Sequence, residues 1–305
     1  VPYLIIVSVI WALSFGLMGQ VSGLGATWVA AVRTLLAALV FLPLIRLRGL
    51  KGWQALALAG TGALQFGVMY VLYIQAYRWL RPGQVALFTI FTPVFVTLAE
   101  NLLTRRSSWR PLGIAILAVA GTGICLWTDL GRAGLVQGFL IMQASNLCFA
   151  LGQVLYRRIA PGTGKPDHQL MGLLYLGAVL VTLALAAPTC HWSRITALSG
   201  RQASILLYLG LVASGLGFFL FNAGARRTRI GTLAVFNNAK SLLGVLAAGL
   251  VFHEAVSWPR LALGGVVILV ALVLNEGPLH SREGRGALAP RPTRLPDGAG
   301  FAAID

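Results

Sequence analysis

The sequence predicts an all-α integral membrane protein whose ten transmembrane helices form two inverted five-helix repeats. Three observations lead there: ten apolar stretches of spanning length, basic residues that crowd every second loop, and a faint duplication of the chain. Of the 305 residues 57% are hydrophobic and only 10% are charged, against about 25% charged in an ordinary soluble domain. A helix needs roughly 20 mostly apolar residues to cross hydrocarbon. Such stretches occur at 2–19, 27–45, 55–76, 83–103, 110–127, 135–156, 169–187, 203–222, 231–252 and 259–275.

The first stretch starts at Val1-Pro2 without a basic leader, so it is expected to be a retained span and not a signal peptide. Between stretches, Lys and Arg gather in alternate loops as the positive-inside rule predicts. One side holds Arg46, Arg48 and Lys51, then Arg105, Arg106 and Arg110, then Arg157, Arg158 and Lys165, then Arg226, Arg227 and Arg229. The other side has only Arg78, Arg81, Arg132, Arg194, Arg201 and Arg260. A net charge of +16 therefore speaks for topology and not for nucleic acid, and both termini are expected in the cytoplasm, with the chain in the inner membrane. Residues 276–305, rich in Gly, Pro, Ala and Arg, have no helical or strand period and are expected to be a disordered tail.

An offset of 148 positions pairs Arg78 with Arg226, Arg81 with Arg229, Gly83 with Gly231, Ala86 with Ala234 and Phe88 with Phe236, and one further residue pairs Trp109 with Trp258. A duplicated unit of five helices is odd, so its second copy enters the membrane upside down. The expected units are 1–128 and 129–275. The Trp11-Ala12-Leu13-Ser14-Phe15-Gly16 run, Arg33 before a Leu/Ala-rich span, the entries Pro82-Gly83 and Ile230-Gly231, and Phe252-His253-Glu254 closing the ninth span together resemble the EamA-domain proteins of the drug/metabolite transporter superfamily. The resemblance covers about residues 2 to 275 and implies a transporter built from two such repeats. It implies an acid at the end of both halves, but the first half has Arg105 there, so that role carries over only to Glu254.

Polar residues inside the spans are the candidates for function, because a Lys at mid-membrane costs about 2.5–3.5 kcal/mol on insertion scales and must face protein or water. In the first span Trp11 lies too deep for an interfacial belt, so it either packs or lines a pathway. In the second, Arg33 either snorkels to the outer surface or draws an anion inward. The third carries an aromatic stripe of Phe66, Tyr70, Tyr73 and Tyr77. In the fourth, Pro93 removes the donor to the Thr89 carbonyl and is expected to kink the helix, with Thr89 and Thr92 on the same face. The sixth presents Gln143, Asn146, Ala150 and Gln153 on one face, open to interhelical hydrogen bonding or to substrate. Phe218, Phe221 and Asn222 stand in the eighth. The ninth places Asn237, Lys240, Ser241, Gly244 and Ala248 on one small, polar face. Asn238 points about one hundred degrees away from Asn237. Lys240 either binds substrate or pairs with Glu100.

Cys125, Cys148 and Cys190 offer neither a disulfide framework nor metal spacing, and no nucleophile with a base lies at mid-depth. The Gly162-Thr163-Gly164-Lys165 run is followed by Pro166 and lacks the leading glycine of a phosphate loop. No catalytic, metal or cofactor site is therefore expected. Two buried cations, Lys240 and Arg33, favour a secondary carrier, an exporter, for a small molecule bearing a carboxylate, such as an amino acid or organic acid. Its expected partners are that substrate and the bilayer, with coupling to a proton or substrate gradient. Export of amines or lipophilic drugs, or a membrane enzyme or scaffold, are the alternatives.

Overall fold

The computed structural model describes residues 2–104, 110–126, 133–189, 198–228 and 230–276, and these form helices joined by short loops, without a strand. Seven helical segments are long and apolar enough to cross a membrane: α1 Pro2–Leu24, α2 Ala26–Leu44, α3 Gly52–Ala76, α4 Pro82–Leu103, α6 Leu135–Thr163, α7 Asp167–Thr189 and α8 Gly200–Arg227. The others are α5 Arg110–Leu126, α9 Ile230–Leu250 and α10 Trp258–Glu276. The interior and exterior are reversed relative to a soluble protein. Leu39, Leu56, Leu102, Leu180 and Leu250 face outward, while Arg33, Gln65, Asn222 and Lys240 are buried. Lipid accepts that apolar surface, and the polar groups must then find partners inside.

The expected boundaries hold to within a few residues except at α6 and α8, which run on to Thr163 and Arg227. Apolarity ends there, but helix does not. Tyr156 and Arg226 both donate to Asp167 Oδ1, so the polar last turns of α6 and α8 are tied to the start of α7. At its other end α8 begins with a capping box in which Ser199 Oγ accepts the Gln202 N–H at 3.2 Å and Gln202 Oε1 accepts the Ser199 N–H at 3.1 Å.

Three segments are not uniform. A 3₁₀ turn at Thr89–Phe91 interrupts α4 one turn before Pro93; the ring removes the i+4 donor to the Thr89 carbonyl, which accepts the Thr92 N–H instead. Stretches of π-helix occupy Ala63–Val68 in α3 and Tyr208–Leu216 in α8, and neither leaves a mark in the apolar pattern. In or beside each stretch a carbonyl, Met69 in α3 and Ala213 in α8, accepts from another helix.

Packing joins α2 to α7 and α8, α3 to α6 and α7, α4 to α6 and α9, α1 to α8 and α9, and α5 to α10. Where α3 crosses α7, Gly62 rests on the Leu174 backbone and Gly177 on the Ala59 carbonyl, leaving no space for a Cβ at either. Thr34 and Thr182 meet in the α2–α7 contact at 2.8 Å, and each hydroxyl also lies within reach of the carbonyl four residues before it, Ala30 and Ala178. Arg105, Trp109, Arg229, Cys190, the side chain of Asn238 and the expected tail beyond residue 276 lie outside the described residues.

Candidate functional site

Helices α1, α2, α3, α4, α6, α8 and α9 surround about 500 Å³ of empty space, its open mouth included, with Arg33 and Lys240 on its wall. Trp11, Tyr70, Tyr73, Thr89 and Asn146 line it as well. The ammonium of Lys240 is held by rings: it stands 4.7 Å from the centroid of Trp11, 5.0 Å from Phe149 and 5.9 Å from Phe221. Cation–π attraction of this kind stabilises a desolvated ammonium, but among the described residues its three N–H donors have no acceptor. No carboxylate pairs with it among the described residues. Glu100, the alternative partner considered from the sequence, pairs instead with Arg158 at 2.8 Å.

Arg33 does not snorkel. It is 3% exposed and turns inward, because its Nε donates to Ser214 Oγ at 3.1 Å, its Nη2 to the Tyr70 hydroxyl at 2.9 Å and its Nη1 to Met18 Sδ at 3.5 Å. All of these partners are neutral. Ser214 is available for this because the π-helix of α8 lets its hydroxyl reach the carbonyl of Leu209, five residues back, at 2.7 Å while facing Arg33 and Tyr70. Within the same π stretch the Ala213 carbonyl accepts the Trp11 indole N–H at 2.8 Å. That bond fixes the ring on which Lys240 rests.

The remaining candidates divide. Asn146 lines the cavity and donates to the Phe88 carbonyl at 2.8 Å and to Gln143 Oε1 at 3.0 Å, leaving Gln143 Nε2 buried without a partner. Tyr73 hydrogen-bonds Tyr77, whose hydroxyl donates to the Phe15 carbonyl at 2.9 Å. Thr89 and Ser241 join at 2.6 Å and tie α4 to α9 beside the cavity. Two amides stand behind it. Asn222 is fully buried with its oxygen on Gln65 Nε2 and its nitrogen on Met171 Sδ, and Asn237 is 1% exposed with Oδ1 unpartnered. Pro93 acts through the 3₁₀ turn and is not on the wall.

The sequence reading did not single out Phe149, Ser145, Met142 or Ser214, all of which the structure brings to the site. Phe149 stands three residues after Asn146 on the polar face of α6, and that spacing could have found it. Ser214 owes its place to the π-helix, which periodicity cannot reveal.

One relative, named a probable biotin transporter, from Pseudomonas aeruginosa, is 39% identical over 90% of this chain and 96% of its own. Another, named a biotin transporter, from Salmonella typhimurium, is 38% identical over 90% of this chain and 92% of its own. A solved crystal structure 18% identical in sequence shares the fold with a TM-score of 0.68, over 92% of this chain and 97% of that one. Residues 1–127 and 136–276 each match the EamA-like transporter family. With both stretches matched and most of the chain shared with named transporters, this protein belongs to the EamA-like transporter family, and is a multi-pass membrane transporter and not an enzyme.

Proposed function

We propose that the protein is a secondary carrier for biotin, or for a small carboxylate of closely similar shape, working by alternating access between two inverted five-helix repeats that cross the membrane ten times. The observation that carries this reading is Lys240: an ammonium whose three donors have no acceptor among the described residues, beside a cavity that also receives the Arg33 charge and no acid of the described residues. A carboxylate supplies what the wall lacks. An amine would face two positive charges there, which disfavours cationic drugs. The thiophane ring of biotin suits the apolar wall of Trp11, Phe149 and Phe218, and Asn146, Thr92 and Tyr73 offer further hydrogen bonds. The relatives' printed names point to the same compound.

Packing supports the repeat. Exchanging each of the first five segments with the one five places later maps the contacts α1–α9 onto α6–α4, α1–α8 onto α6–α3, and α3–α7 onto α8–α2. The pairs α2–α7, α4–α9 and α5–α10 map onto themselves. Thr34 and Thr182 are separated by the same 148 positions as the sequence repeat, and they touch. A residue meets its own copy only on a pseudo-twofold axis. We assign units at 1–128 and 129–275, with the tail from 276 and both termini on the cytoplasmic side of the inner membrane and the flux coupled to a proton or substrate gradient.

Purified protein in lipid vesicles should take up labelled biotin saturably, and Lys240→Met should weaken its affinity. Flux that ignores biotin, or that survives Lys240→Met unchanged, would sink the reading. Running the assay in both directions, with and without a pH gradient, tests export and coupling at once.

A further inference from the structure

Around Lys240 the protein buries amide atoms that have no hydrogen-bond partner among the described residues. Gln153 is 1% exposed, and neither its Oε1 nor its Nε2 has a partner; Oδ1 of Asn237 and Oε1 of Gln65 are also unpaired among the described residues. Gly152 lies against the Gln65 side chain, and Gln65 Nε2 donates to Asn222 Oδ1 at 3.2 Å, so α3, α6 and α8 meet there. Asn222 follows Phe221, and Gln153 follows Phe149 by one turn; both rings touch the Lys240 ammonium. Asn237 stands one turn from Lys240 on α9, about 5 Å along the axis.

Unsatisfied buried amides are rare in native proteins and cost stability, so their persistence asks for a ligand. Gln143, whose Nε2 is unpaired, belongs to the Asn146 pair on the cavity wall and is a separate case. The layer behind Lys240 presents three carbonyl oxygens, on Gln65, Gln153 and Asn237, and one amide donor, on Gln153. A carboxylate would be repelled by three oxygens. A cyclic urea fits, because its edge carries two N–H donors flanking one carbonyl acceptor, and the free primary amide of Gln153 can pair with an N–H and that carbonyl together.

We propose that Gln153, with Gln65 and Asn237, forms the subsite for the cyclic-urea end of the substrate, reached as the Phe149 and Phe221 rings move off Lys240, while the carboxylate end is held at Lys240. This rests on the reading of the protein as a biotin carrier and assigns the two ends of the substrate to two places. Gln153 then governs choice among carboxylates, and Lys240 the affinity for all of them.

The test uses vesicles containing the full chain and two labelled compounds, biotin and lipoate; lipoate keeps a sulfur-containing five-membered ring on a valerate chain and has no urea. The unmodified protein should prefer biotin by about tenfold or more, the effect of leaving such a polar site unpaired. Gln153→Leu should bring biotin flux down to the lipoate level and leave lipoate flux unchanged. Its thermal unfolding midpoint should stay equal or rise, because a buried amide without partners is removed. Lys240→Met should reduce both compounds together. A preference that survives Gln153→Leu overturns the subsite, as does a lowered midpoint with both fluxes reduced in proportion, the mark of a structural role. Should Gln153→Leu fail to fold, Asn237→Leu carries the same expectations. If the unmodified protein moves both compounds equally, the subsite falls and the carboxylate reading stands. If it moves neither, both fall.

Discussion

The two halves of the protein are alike in how they are built and unlike in what they carry. Each has a third helix with a π stretch, Ala63–Val68 in one and Tyr208–Leu216 in the other, and a shift of 148 residues lays the first inside the second. Each lends a main-chain carbonyl near that stretch to the first helix of the opposite half: Ala213 accepts from Trp11, and Met69 from Ser145. Charge breaks the likeness. The position matching Lys240 is Thr92, and the position matching Arg33 is Val181. Each half therefore supplies one buried cation, from helices that are not equivalent, so the cavity is asymmetric inside a nearly symmetric frame. In the proposed carrier the matched helices would serve the motion, and the unmatched charges would serve the ligand.

Removing the charge of the second half should have the largest effect. A charge-assisted hydrogen bond contributes roughly 1.5–3 kcal/mol, so Lys240→Met is expected to weaken substrate affinity about 10- to 150-fold in a binding titration. Adding Glu100→Gln should not restore it, because Glu100 pairs with Arg158. Moving the charge across, with Thr92→Lys and Lys240→Thr together, should also fail, since the Trp11, Phe149 and Phe221 rings surround only the original ammonium. Recovery of flux in that double variant would mean that the halves are interchangeable after all.

The charge of the first half is held differently, and Arg33→Lys tests how. One guanidinium reaches Ser214, Tyr70 and Met18 at once, which an ammonium cannot do. We expect about a tenfold loss of flux with membrane expression retained; wild-type flux would show that charge alone matters there.

Smaller still is the contrast between the two carbonyl contacts. Trp11→Phe removes the indole N–H from the buried Ala213 carbonyl and should cost about 1–3 kcal/mol in detergent unfolding. It should also weaken binding, because its ring supports Lys240. Ser145→Ala removes a hydroxyl from the Met69 carbonyl and should cost about 0.5–1.5 kcal/mol. Equal effects on binding would remove the distinction drawn here between the cage and its counterpart.

The smallest effect is expected at the place where the halves are identical. Thr34→Val and Thr182→Val should each lower stability by about 0.5–1.5 kcal/mol, and by the same amount. The double variant should lose less than the two changes added, since they remove one shared bond. Unequal single effects would place these residues off the axis.

Much of this was legible in the sequence because a membrane makes pattern strict. Apolar length gives the segments to within a few residues except at the polar ends of α6 and α8, and the cost of a buried charge singles out Lys240. What stayed hidden depended on the backbone register or on partners distant in sequence. Nothing in the letters around Ser214 announces a π-helix, and the inward turn of Arg33 is set by Tyr70 and Ser214, which lie 37 and 181 residues away. From the sequence Asn222 reads equally as a bond between helices or as a group facing substrate. Its face meets Gln65 and Met171, and only packing decides that.

The meeting of Thr34 with Thr182 at 2.8 Å has a mechanical meaning. In a lever the fulcrum does not travel, and every other point moves in proportion to its distance from it. If the halves tilt about this contact by about 15°, a point at the membrane surface, roughly 15 Å away, moves about 4 Å, enough to part or close a layer of side chains. In such a tilt the hydroxyls at the fulcrum would keep their bond. A carrier balanced in this way can open first to one side and then to the other while the hydrogen bond between its halves stays intact.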